Sequence, residues 1–227
     1  MAGRQQQRRR VAVLISGGGS NLQALIDAAS AADFPARIAL VLSNNPGAYG
    51  LERAARAGIP ARIVDHRAFA GDRGAFEAAL DAALREAGVE LVCLAGFMRV
   101  LTPSFVEAWR DRLLNVHPSL LPAFRGLHTH ARALAAGVLI HGCTVHLVRP
   151  ELDDGPVIVQ GAAPVLPADT EATLAARVLE LEHRCYPLAL RLLASGRARV
   201  DGEQRVVVAD EVAGERLLAW AGPESPS

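Results

Sequence analysis

Val11-Ala12-Val13-Leu14-Ile15, followed at once by Ser16-Gly17-Gly18-Gly19-Ser20-Asn21, decides how the rest of the chain is read. An unbroken apolar run of this length suits a strand covered on both faces, as in a parallel sheet. The glycines end it, and Asn21 to Ala32 then carries Leu22, Leu25, Ile26 and Ala29 at helical spacing. Strand, glycine turn and helix make the first half of a β-α-β unit.

Working outward, the same rhythm repeats. Ile38 to Leu42 reads as a strand ended by Asn44-Asn45-Pro46-Gly47, and Leu51 to Ala57 as a helix closed by Gly58. Ala61 to Val64 is a short strand, Ala75 to Ala87 a helix closed by Gly88, and Leu91 to Ala95 the fourth strand. The pattern changes after Pro103. Ser104 to Trp109 is helical, Leu113 to His117 extended, and a proline-rich loop runs through Pro122 and Gly126. Thr129 to Ala136 is helical, Val138 to Val148 and Pro156 to Val165 form a hairpin-like pair, and Ala172 to Leu193 is a long helix. Arg197 to Val200 and Arg205 to Val208 close as a β-hairpin. The expected fold is α/β, a Rossmann-like doubly wound, mostly parallel sheet with antiparallel strands in the C-terminal half. Residues 1–10 are read as a disordered basic tail, 11–210 as one domain and 211–227 as a C-terminal tail.

Bulk properties remove several classes of function. Lysine plus arginine and aspartate plus glutamate each total 24, so the formal net charge is +0. A nucleic-acid binder usually carries a basic excess and stacking aromatics; aromatics are only 4% here. No apolar run approaches the ~18 residues of a membrane helix, and the arginine-rich start lacks the apolar core of a signal peptide. Cys93, Cys143 and Cys185 lack CxxC spacing, which suits reduced core thiols in a cytoplasmic protein.

Three segments carry candidate chemistry. Consecutive glycines before a helix let backbone N–H groups approach an anion, so Gly19, Ser20 and Asn21 suit a phosphate. Ser20 and Asn21 are also good helix caps, and the loop would then be a structural turn. It is neither a dinucleotide fingerprint, since Leu22 stands at the third glycine position, nor a nucleoside triphosphate loop. In Asn115-Val116-His117-Pro118, residues two apart in extended chain point to one side. An amide NH₂ and a ring N–H side by side can both donate to a developing oxyanion; packing against prolines is the plainer account. Glu151-Leu152-Asp153-Asp154-Gly155-Pro156 reads equally as a turn or as the carrier of an aspartate that favours a protonated His117. His128, His130, His141 and His146 lack a carboxylate or cysteine at ligand spacing, so no metal site is assigned. His146 reads as a site wall or a satisfied core histidine.

Together these motifs, with Leu94-Ala95-Gly96-Phe97-Met98-Arg99, Gly126-Leu127-His128-Thr129-His130 and Leu152-Asp153-Asp154-Gly155-Pro156-Val157-Ile158, resemble the phosphoribosylglycinamide formyltransferase family over Val11 to Gly196. The resemblance implies the formyltransferase fold and formyl transfer from 10-formyltetrahydrofolate, a co-substrate, to the amine of glycinamide ribonucleotide in purine biosynthesis. It implies catalysis by Asn115, His117 and Asp153, and ribonucleotide binding by Gly19, Ser20, Asn21 and Glu182. Arg73, Met98, Arg99, Val100, Leu101, Asn115, Glu151, Leu152 and Asp153 would line the folate side, with no metal. The partners implied are small molecules, without nucleic acid or membrane, in a monomer or homodimer. The chain departs from the family at Gly18, Ala123, Leu147 and Asp154. Formyltetrahydrofolate deformylase and a non-catalytic nucleotide- or folate-binding protein are the alternatives. A methionyl-tRNA formyltransferase would be expected to carry a further C-terminal domain.

Overall fold

The computed structural model describes residues 8–220, so residues 1–7 of the expected basic tail and 221–227 of the C-terminal tail lie outside the described residues. Strand β1 (Arg9–Ile15) passes through the glycines into helix α1 (Ser20–Ser30). Then follow β2 (Ala36–Ser43), α2 (Gly50–Arg56), β3 (Ala61–Ile63), a 3-10 turn at His66–Phe69, and α3 (Arg73–Glu86). The chain continues through β4 (Leu91–Leu94), α4 (Pro103–Ala108), β5 (Leu113–His117), α5 (Thr129–Ala135), β6 (Ile140–Leu147) and β7 (Val157–Pro164). Helix α6 (Glu171–Ala194), the strands β8 (Ala198–Val200) and β9 (Val206–Val208), a 3-10 turn at Asp210–Arg216 and β10 (Leu217–Ala219) complete it.

Among the described residues the main sheet has 8 strands in the order β10-β7-β6-β5-β4-β1-β2-β3, and β8-β9 forms a separate antiparallel hairpin. Pairings from β3 through β5 are parallel; β5-β6 and β6-β7 are antiparallel. The mixed α/β sheet read from the sequence is therefore the observed one. Two local readings change. Arg9 and Arg10 belong to β1, and Arg8 donates to the Ala36 carbonyl at 3.0 Å, so order starts before Val11. Within 211–227, β10 joins β7 in parallel and the Arg216 guanidinium donates to the carbonyls of Ile158 and Val157, both at 2.7 Å. Three residues are too few to display a strand's alternation.

Alternation in β1 divides the core. Val11, Val13 and Ile15 pack with Leu22, Leu25, Leu181 and Tyr186 of α1 and α6. Ala12 and Leu14 pack with Phe76, Leu80, Phe105 and Trp109 of α3, α4 and the residue that follows α4. In β5, Leu114 and Val116 join the first layer and Leu113 the second. Asn115 and His117 share the parity of Leu113 and continue its face. There the segments that meet them are loops, 118–128 and 149–155, rather than helices.

All three cysteines are free and buried. No helix among the described residues is long and apolar enough to cross a membrane.

Candidate active site

The glycine loop is shaped by backbone that only glycine adopts easily. Gly19 caps α1 at φ 69°, and a Cβ there would lie 2.8 Å from Gly50 Cα. Gly50 N–H donates to the Gly17 carbonyl at 3.0 Å, locking α2 against the loop. Neither Ser20 nor Asn21 caps the helix with its side chain, the cap position being Gly19. Asn21 instead donates through Nδ2 to Glu182 Oε2 at 2.7 Å, while its buried Oδ1 has no partner. Glu182 comes from the buried stripe of α6, with Leu181 and Cys185. Burial pushes its carboxyl up to about 7, against the opposing hydrogen bond from Asn21. The first turn of α1 holds no acidic residue, which leaves its positive end available to an anion.

The second group assembles on β5 and β6. Asn115 is the register partner of His146, and its Nδ2 lies 3.3 Å from His146 Nε2. His146 Nδ1 is 3.1 Å from its neighbour's Leu147 carbonyl, so this nitrogen carries the hydrogen and Nε2 accepts. Burial pushes His146 down to about 4, which keeps it in that neutral form. His117 is buried as well. Its Nε2 faces the Phe124 carbonyl at 3.1 Å and its Nδ1 faces Asp153 Oδ2 at 3.4 Å. Only a ring with hydrogen on both nitrogens can donate to both acceptors at once.

Asp153 reaches this group from the β6-β7 connection at φ 51°, a left-handed conformation that costs most residues ~1–3 kcal/mol and is easiest for Asp and Asn. Its Oδ2 accepts the Gly126 N–H at 2.9 Å, and its Oδ1 lies 3.9 Å from His146 Nε2. Asp154, one of the departures, forms an ion pair with Arg125. Two contacts thus tie loop 149–155 to loop 118–128.

Besides Asn115, the residues expected on a folate side lie at the start of α3, on the segment that follows β4 and on loop 149–155. Arg73 Nη2 donates to the Val100 carbonyl at 3.0 Å, and Met98 N–H donates to Ser16 Oγ at 2.8 Å. Met98, Val100 and Leu152 are exposed apolar side chains, whereas Leu101 is buried in the core. Arg99 and Glu151 are exposed on the same two loops. Of the other departures, Gly18 has open space where a Cβ would stand, Ala123 is exposed, and Leu147 is fully buried.

The reading of His146 as a site wall or a core histidine did not foresee its contacts, which place it between Asn115 and Asp153. The signal was the strand pairing: antiparallel register places Thr144 and His146 opposite His117 and Asn115. Sequence reasoning missed the Phe124 carbonyl and the Gly126 amide, which are backbone groups and leave no trace in residue type. The remaining histidines divide elsewhere, with the rings of His130 and His141 edge to face at 5.3 Å.

A family model of formyl transferases matches residues 9–190. The chain belongs to the formyl transferase family. Its likeness within that family is to phosphoribosylglycinamide formyltransferases. The Escherichia coli (strain K12) enzyme of that name is 46% identical over 190 residues, covering 84% of this chain and 89% of the relative. The trifunctional purine biosynthetic protein adenosine-3 of Gallus gallus is 51% identical over 196 residues, 86% of this chain, but the chain spans only 19% of that protein. The structure of phosphoribosylglycinamide formyltransferase from Anaplasma phagocytophilum superposes with a TM-score of 0.85 at 43% identity, covering 94% of this chain and 99% of that one. Formyltetrahydrofolate deformylase from Burkholderia mallei shares the fold at a TM-score of 0.81 and 29% identity, over 90% of this chain and 71% of that one.

Proposed function

We propose that this chain transfers the formyl group of 10-formyltetrahydrofolate to the amine of 5-phosphoribosylglycinamide, a step of de novo purine biosynthesis. The observation that carries the reading is the approach of Asp153 Oδ2 to within 3.4 Å of His117 Nδ1, with Asn115 one pleat away on the same face.

The roles follow from this geometry. Gly19, Ser20 and Asn21 take the phosphate at the positive end of α1, and Glu182 takes the ribonucleotide beside Asn21. Arg73, Met98, Arg99, Val100, Leu101, Asn115, Glu151, Leu152 and Asp153 hold the folate. The exposed apolar surface of Met98, Val100 and Leu152 fits a flat, largely apolar ligand. The acceptor amine attacks the formyl carbon, a C–N bond forms, and charge develops on the formyl oxygen. Asn115 Nδ2 and His117 Nε2–H donate to that oxygen; the imidazole hydrogen now given to Phe124 is the one the oxyanion takes. Asp153 holds the ring with hydrogen on Nδ1 and aligns a water. That water carries the amine proton to the folate nitrogen as its bond to the formyl carbon breaks.

The alternative acceptor is water, which would make the chain a deformylase. The glycine loop with its unopposed helix end favours a phosphorylated acceptor, because water needs no phosphate site. Incubating the protein with 10-formyltetrahydrofolate, with and without glycinamide ribonucleotide, separates the two. Consumption of the folate only when the ribonucleotide is present is the expected result. Consumption at the same rate without it assigns the chain to hydrolysis.

A further inference from the structure

Arg53 stands on α2 with its guanidinium against the glycine loop. Its Nε donates to the Gly18 carbonyl at 2.9 Å, its Nη1 donates to Gln23 Oε1 at 3.2 Å, and the Tyr49 ring centroid lies 5.1 Å away. One residue of the loop and one of α1 therefore fix the plane of the group. Among the described residues it has no carboxylate partner, although Arg56 on the same helix pairs with Glu52 at 3.1 Å. Among the described residues its Nη2 makes no hydrogen bond. A half-buried arginine, immobilised by neutral acceptors and left without a counter-charge, presents a net positive charge and a free donor to whatever binds at the loop.

We propose that Arg53 is the cation of the phosphate subsite, held ready by Gly18 and Gln23 to bind the phosphate dianion. The inference rests on the reading of Ser16 to Asn21 as a phosphate loop and adds the charge that loop lacks. Backbone N–H groups and a helix end offer only partial charges, whereas a phosphate monoester near neutral pH carries nearly two negative charges. No lysine occurs in the chain, all 24 of its basic side chains being arginine, so a full cation at this site has to be a guanidinium. The fork of that group matches two phosphate oxygens, and its immobilisation removes part of the entropic cost of binding. A second observation points the same way. His183, next to Glu182, has a buried Nε2 without a partner, and its ring is pushed toward neutrality by burial first and by the charge of Arg53 second.

The test compares an acceptor with its phosphate and the same acceptor without it. The ratio of kcat/KM for glycinamide ribonucleotide to kcat/KM for the phosphate-free riboside is measured in wild type, Arg53→Gln and Arg53→Lys. Glutamine keeps a donor for Gly18 without the charge; lysine keeps the charge without the fork. The ratio falls by about ten-fold or more in Arg53→Gln and recovers in part in Arg53→Lys. An unchanged ratio, or equal loss toward both acceptors, overturns the proposal, since a merely structural arginine would affect both alike. Titration with ribose 5-phosphate keeps this separate from the functional reading. Should the wild type transfer no formyl group, that reading falls, while Arg53 is still decided. Ribose 5-phosphate binding weakened in Arg53→Gln supports the assignment, and equal binding overturns it. Matching Tm values show that each variant is folded.

Discussion

Asp153 and His117 come within 3.4 Å of each other although one sits in the β6-β7 connection and the other ends β5. The same Asp153 oxygen accepts the Gly126 amide, so the carboxylate is fixed from two sides before any substrate arrives. A carboxylate held this way orients the ring and places a negative charge against its Nδ1–H.

The first prediction concerns that group. Asn115→Ala should cost about 2.7–4 kcal/mol of activation free energy, the usual loss for one oxyanion donor. His117→Ala and Asp153→Asn should each lower kcat sharply while Tm and the circular dichroism spectrum stay close to wild type. Turnover near wild type in all three variants would remove these residues from the chemistry.

Glycine positions in the loop should respond unequally. Gly19→Ala meets both a left-handed φ of 69° and the 2.8 Å approach to Gly50 Cα. It should lose ~1–3 kcal/mol of stability from the backbone alone and raise KM for the ribonucleotide. Gly18→Ala enters open space and should shift stability by no more than about 0.5 kcal/mol. Urea unfolding of the two variants measures the difference; equal losses would mean the loop relaxes freely around either side chain.

Stability should depend on pH through buried groups of opposite sign. His141 and His146 are pushed from 6.5 down to about 4 by burial, so the unfolded chain takes up protons first as pH falls. Their contribution is present above 6.5 and is lost between about 6.5 and 4. Glu182, pushed from 4.5 up to about 7, contributes in the opposite sense, with stability that is present below 4.5 and lost as pH rises through 7. Thermal unfolding between pH 4 and 7 should show Tm falling on acidification, more steeply in Glu182→Gln and less in His146→Gln. A flat wild-type profile between 6.5 and 4 would contradict the assignment of these histidines as neutral and buried.

How much of this was legible in the sequence depends on the range of the interaction. The run Val11 to Ile15 and the periodicity of Leu22, Leu25 and Ile26 are local patterns, and they report burial directly, so β1 and α1 could be read within a residue or two. Asn115 and His117 share a side because a strand alternates, which is again local. Asp153 could be singled out, but its meeting with His117 depends on how the nine-residue connection 148–156 folds back, and no spacing rule contains that. His146 was visible as a polar residue flanked by the apolar Val145 and Leu147; its place between Asn115 and Asp153 follows from inter-strand register, a non-local quantity. Arg53 carried no signal of its own, because an arginine on a helix reads as a solvated charge until the loop beside it is seen.

Helices α3 and α4 cover one part of the sheet face and stop at Trp109, and beyond it two loops form the roof. The scaffold and the reaction are therefore built from separable parts. Lengthening or recomposing residues 118–128 or 149–155 would alter which acceptor is admitted and which proton route is open, while the hydrogen-bonded ladder beneath stays as it is. Arg125 with Asp154, and Gly126 with Asp153, act as the seam along which such exchanges must match. A graft that replaces one loop without its counterpart should yield a folded protein with a misaligned carboxylate, and a paired exchange should be the unit by which this architecture acquires new chemistry.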